Sequence, residues 1–188
     1  MIDMDMTRRG ALEIVLAGGG AAMAGSTASV ASPPAAGGDW QFLVGRWHVR
    51  HRKLRERLTG SNDWMEFDGS CENWPMLGGG ANVDDNIFHM PGETCRGVAL
   101  RAYDPAAGQW AIWWLDSRAT DRLDEPVRGT FRDGVGTFLA EDSWKETPVT
   151  VRFRWSDITA RSARWEQAFS TDGGATWEVN WVMQFTRA

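Results

Sequence analysis

From Trp40 onward, polar and apolar residues alternate with period two, and the alternation breaks about every dozen residues at a turn signal. The pattern predicts strands over 46–56, 62–73, 80–89, 94–103, 110–118, 126–132, 135–143, 148–156, 162–170 and 176–186. The intervening turns carry suitable chemistry. "DPAAGQ" places Pro105 at the second position of a type I turn. "RDGVG" contains the Asp-Gly pair of a two-residue hairpin. The segment 117–126, "SRATDRLDEP", is longer, polar and without strand alternation, and "DWQFLVG" predicts one helical turn before the first strand. Ten sequential antiparallel strands in about 150 residues predict an all-β, closed up-and-down barrel, whose closure removes exposed sheet edges.

Alternation also assigns faces. In "TWEVNWVMQFT", Trp177, Val179, Trp181, Met183 and Phe185 are expected to point inward. In "VTVRFRWSD", Val149, Val151, Phe153 and Trp155 do the same, with Arg152 and Arg154 in water. Trp47, Val49 and His51 share an inward face. "QWAIWWLD" sets Trp110, Trp114 and Asp116 opposite Trp113, and Asp84 and Asn86 lie opposite Asp85. Arg101 shares a face with Tyr103, away from Val98 and Leu100, and is expected at the surface; Glu166 is assigned to neither face.

Residues 1–38 break the pattern. Arg8 and Arg9 precede a weakly apolar Gly/Ala-rich run that leads to Ser29-Val30-Ala31. This resembles a twin-arginine export signal cleaved after Ala31, with Ala11 and Glu13 as departures from it. The expected organisation is a signal over 1–31, a flexible linker over 32–39 and one barrel domain over 40–188, in the periplasm or secreted. The apolar run is too short and too polar for a stable membrane span. The chain has 188 residues and a formal net charge of −5 without a basic block, which speaks against nucleic acid as a partner. An oxidising compartment permits a bridge between Cys71 and Cys95, yet a meander puts them on strands that are not neighbours, so both states stay open. Two cysteines and three histidines without ligand spacing give no structural zinc site, and the Asp84–Asn86 cluster lacks the calcium-loop spacing.

Two motifs carry resemblances. "STDGGATWE" reads S-x-D-x-G-x-T-W and resembles the Asp-box of sialidases and related β-propellers. A propeller needs one copy per blade, and 188 residues hold a single copy. The local reading suffices: Asp172 turns its carboxylate onto backbone N–H groups, and Gly173 and Gly174 supply the positive φ of a tight turn. "FLVGRWHV" carries Gly45-Arg46-Trp47 at the start of the first strand and resembles the lipocalin and wider calycin barrels. With "MLGGGANVDDN" and "GVALRAYDPAAGQWAIWWLDS", which holds Gly97, Tyr103, Asp104, Trp110, Trp114, Asp116 and Ser117, residues 40–186 resemble the secreted bacterial lipocalin-like group catalogued as domain-of-unknown-function family 1579. The resemblance implies a calycin-type barrel whose closed end is plugged by Trp47, and it brings no agreed activity.

The chain departs from that group in its twelve tryptophans, all after residue 38. Indoles fill a core on few rotatable bonds, and they also line a lumen that holds a flat or apolar ligand. The expected function is binding of a small apolar or aromatic molecule. The expected ligand-binding residues are Trp47, His51, Trp110, Trp114, Asp116, Phe153, Trp155, Trp177 and Trp181. Two alternatives stand beside it. One is an isomerase, cyclase or hydrolase that uses Asp116 with His51 or Glu166; no G-x-S-x-G motif or phosphate loop supports it, and no residue is assigned as catalytic. The other is a filled barrel acting as a protein-interaction module. Haem, which some ten-stranded nitrobindin-like barrels hold near the C-terminal end, is not expected, because no histidine follows His89, and no other cofactor is indicated.

Overall fold

The computed structural model describes residues 38–188, so the expected export signal and the linker up to residue 37 lie outside the described residues. Ten antiparallel strands are present: β1 (Gly45–Leu54), β2 (Trp64–Met76), β3 (Ala81–Met90), β4 (Glu93–Asp104), β5 (Gln109–Asp116), β6 (Val127–Arg132), β7 (Val135–Trp144), β8 (Thr147–Ser156), β9 (Ser162–Ser170) and β10 (Glu178–Arg187). Each pairs with the next, and β10 returns to β1, where Val49 faces Phe185 and Lys53 faces Trp181, so the sheet closes as an up-and-down barrel. Helical structure among the described residues is limited to two single turns, Gln41–Leu43 and Leu77–Gly79.

A meander sends successive connections to opposite ends. At one end the Gln41–Leu43 turn closes the barrel. Trp40 is buried there with its ring 5.0–6.1 Å from those of Trp110, Phe131, Phe138 and Trp155. Trp47 Nε1 donates to the Leu43 carbonyl at 2.7 Å. Arg187 lies 3.7 Å from the Trp47 ring centroid and donates to the carbonyls of Val44 and Phe42, which ties the last strand to the first turn. At the other end lie segments 55–63, 117–126 and 171–177. In the last, the Asp172 carboxylate accepts from the backbone N–H and hydroxyl of Thr176 and from the Ser170 hydroxyl. These bonds hold its carboxyl down at about 2, and they account for the "STDGGATWE" residues as a turn.

Two face assignments are corrected. Arg101 is 5% exposed and points into the barrel. The inner face of β4 is its small and polar face, Gly97, Ala99 and Arg101, because Trp114 of β5 needs the space: a Cβ on Gly97 would stand 2.0 Å from Trp114 Cζ2. On β10 the register shifts between Val179 and Trp181, leaving Asn180 as an extra inward residue. Trp181, Met183 and Phe185 point inward as expected, whereas Trp177 and Val179 fall on the outer face, where the Arg152 guanidinium covers the Trp177 ring at 4.2 Å. Glu166 also faces outward, between Arg154 and Arg164.

Candidate functional site

Above the aromatic plug the barrel is hollow. A cavity of about 650 Å³ extends toward the 117–126 segment. Its apolar wall is built by Phe88 of β3, Ile112 and Trp114 of β5, Phe153 of β8, Trp165 of β9 and Trp181 of β10. Phe153 meets Trp165 at 4.9 Å and Trp165 meets Trp181 at 5.7 Å, both edge to face. Edge-to-face pairs of this kind stabilise the wall beyond the area they bury.

The floor is polar. Arg101 donates to Asp84 Oδ2 at 2.5 Å and to Asn82 Oδ1 at 3.1 Å, and Asn86 donates to Asp84 Oδ1 at 2.6 Å. The Arg101 guanidinium lies 4.6 Å from the centroid of Trp40, so this buried pair sits directly on the plug. The upper wall adds Gln167, which donates to Asn180 at 2.8 Å.

The mouth is charged. Asp116 accepts two hydrogen bonds from the Arg118 guanidinium, at 2.8 and 2.6 Å, and one from its backbone N–H. Burial pushes the Asp116 carboxyl up, and the bonds from Arg118 outweigh it, so the net shift is downward. Segment 117–126 is held to the barrel by Ser117 N–H to the Arg96 carbonyl and Asp124 N–H to the Trp114 carbonyl. On the opposite rim, Arg57 covers the rings of Trp144 and Phe169.

Of the expected site residues, Trp114, Asp116, Phe153, Trp155 and Trp181 line the cavity. Trp47 and Trp110 point inward but belong to the plugged end, with Trp110 Nε1 donating to Asp39 at 3.0 Å. Trp177 is outside the barrel. His51 is 1% exposed and lies within the wall, stacked 4.5 Å from Phe67, its Nδ1 accepting from Trp181 Nε1 at 3.3 Å. Asp116, His51 and Glu166 are therefore not gathered in one place, and no histidine lines the cavity among the described residues. Cys71 and Cys95 are both free and buried, on β2 and β4 with β3 between them. Among the described residues no cluster of ligating side chains offers a metal site.

The expected set omitted the wall residues Phe88, Ile112 and Trp165, and it omitted the charged Lys53. The signal for Lys53 was present: it shares the parity of Trp47, Val49 and His51 on β1. Burial pushes its ammonium well below the ordinary lysine range, and Arg57 and Arg118 push in the same direction.

His51 has a consequence for stability. Burial, with Lys53 nearby, lowers its imidazolium to about 3. The unfolded chain takes up that proton near pH 6.5 and the folded chain does not, so stability is full above pH 6.5 and falls as pH drops toward about 3. The expected slope from this group approaches about 1.4 kcal/mol per pH unit. Urea unfolding of wild type and His51→Phe across this range checks it; parallel pH profiles would remove the assignment.

No family model matches the chain, and no curated protein matches it. Among solved structures, it is similar to a redesigned beta barrel at 9% identity and a TM-score of 0.43, over 78% of this chain and 92% of that one. It is also similar to EF1p2_mFAP2b bound to DFHBI, at 10% identity and a TM-score of 0.44, over 81% of this chain and 98% of that one.

Proposed function

We propose that this protein binds a small apolar or aromatic molecule in the barrel lumen. The carrying observation is the cavity of about 650 Å³ walled by edge-to-face aromatic rings, above a plug that fills only one end. That volume lies in the range of small-molecule sites, and a wall of this kind with a few placed polar groups is their usual composition. Apolar burial at roughly 25 cal/mol per Å² supplies the driving force before association costs. Binding is favoured over catalysis because the cavity carboxylates Asp84 and Asp116 are each engaged by an arginine. The family reading rests on Gly45-Arg46-Trp47 and the 97–117 motif, and the exported location rests on Arg8-Arg9 and Ser29-Val30-Ala31.

Titration with the neutral fluorophore N-phenylnaphthylamine tests the lumen. Saturable enhancement is expected for wild type. Ala99→Trp, which puts an indole opposite Trp114 across β4 and β5, is expected to weaken binding at least ten-fold while near-ultraviolet dichroism shows an intact barrel. Equal binding by the folded variant would move the site out of the lumen, and no binding by wild type would sink the proposal.

A further inference from the structure

The lumen wall holds an amine for which the described residues supply no paired carboxylate. Lys53 lines the cavity and is 2% exposed, and its buried Nζ has no hydrogen-bond partner among the described residues. It stands 4.2 Å from the Trp181 ring centroid, a contact that softens the loss of water without replacing it. The charged and titratable groups around it are His51 on its own strand, Cys95 of β4, Asp116 of β5, and Arg57 and Arg118 from the mouth. Asp116 is spent on Arg118, and deeper in the lumen Asp84 is spent on Arg101 and Asn86. Asp124 and Glu125 also have partners of their own. Five cationic and four acidic side chains line the cavity, an excess of one positive charge when Lys53 is protonated, in a chain of net charge −5. The excess is inside, beside an apolar chamber, so it selects a ligand with one acidic end and an apolar body.

Resting on the lumen-binding reading, we infer that the ligand is an amphipathic organic acid whose carboxylate pairs with Lys53 while its apolar or aromatic body lies against Trp114, Trp165 and Trp181. In the empty barrel, burial beside Arg57 and Arg118 penalises the charged form of the amine. An arriving carboxylate offsets that penalty and pushes the amine's pKa back up, so binding favours proton uptake from solvent.

Isothermal titration calorimetry at pH 8 with naphthoate and its neutral isostere naphthamide, in phosphate and in Tris, tests this. Wild type is expected to bind naphthoate at least ten-fold more tightly than naphthamide, with net proton uptake read from the difference between buffers. Lys53→Met is expected to bind naphthoate no better than naphthamide and to show no uptake, its fold checked by near-ultraviolet dichroism. A preference for naphthamide in wild type, or a naphthoate preference that survives in Lys53→Met, overturns the inference and leaves lumen binding standing. If neither compound binds wild type, the inference falls together with the lumen-binding reading on which it rests.

Discussion

Asp84→Ala is expected to destabilise the barrel by about 3–5 kcal/mol, because it strands the Arg101 guanidinium in a buried place. The side chains of Asp84 and Arg101 are 2% and 6% exposed, and the aspartate accepts from Arg101, from Asn86 and from the backbone N–H of Ala99. Removing it leaves the guanidinium between the rings of Trp40 and Trp155, still donating to Asn82 Oδ1 but without a counter-charge. Replacing both partners by apolar residues of similar size removes the stranded charge instead of exposing it. The double variant Asp84→Leu, Arg101→Met is therefore expected to recover most of the loss. Urea unfolding of the four members of the cycle measures this. A single-variant loss below about 1 kcal/mol, or two losses that simply add, would show that the pair is not a closed unit.

Trp40→Ala is expected to cost a similar amount, about 3–5 kcal/mol, by a different mechanism. Trp40 is 3% exposed at the plugged end, and its ring also receives the Arg101 guanidinium at 4.6 Å. Truncation deletes buried apolar area and leaves a void that Phe42, Phe131 and Phe138 cannot all collapse into, since each is held by a strand or by the Arg187-anchored turn. Trp40→Phe retains part of the packing and is expected to lose clearly less. Denaturation midpoints of the two variants distinguish these outcomes. A loss below about 1 kcal/mol for Trp40→Ala would mean that the turn is an ornament on a barrel closed by its strand residues alone.

These predictions concern residues that the chain reveals to different degrees. Strand positions and turns were legible because they are local: period-two alternation, Asp133-Gly134, Pro105 and the Ser170–Trp177 turn each act within a few residues. The helical turn at Gln41–Leu43 and the inward parity of Trp114 and Asp116 were legible for the same reason, as was the shared face of Asp84 and Asn86, whose inward direction the closed barrel set.

What the tertiary structure decided is which face of an ambiguous strand goes inside, and what meets there. On β4, Val98 and Leu100 look like core, but Trp114 from the next strand occupies the space over Gly97, and Arg101 follows the small residues inward to its partner on β3. On β10, the extra residue at Asn180 arises in pairing with β9, and it turns Trp177 outward although the spacing in the chain is regular. Parity on β1 already placed Lys53 inside; that no carboxylate answers it depends on Asp116 choosing Arg118 and Asp84 choosing Arg101. Alternation along one strand carries hydrophobicity and direction, whereas volume and charge balance in a lumen are sums over ten strands, so only the closed barrel determines them.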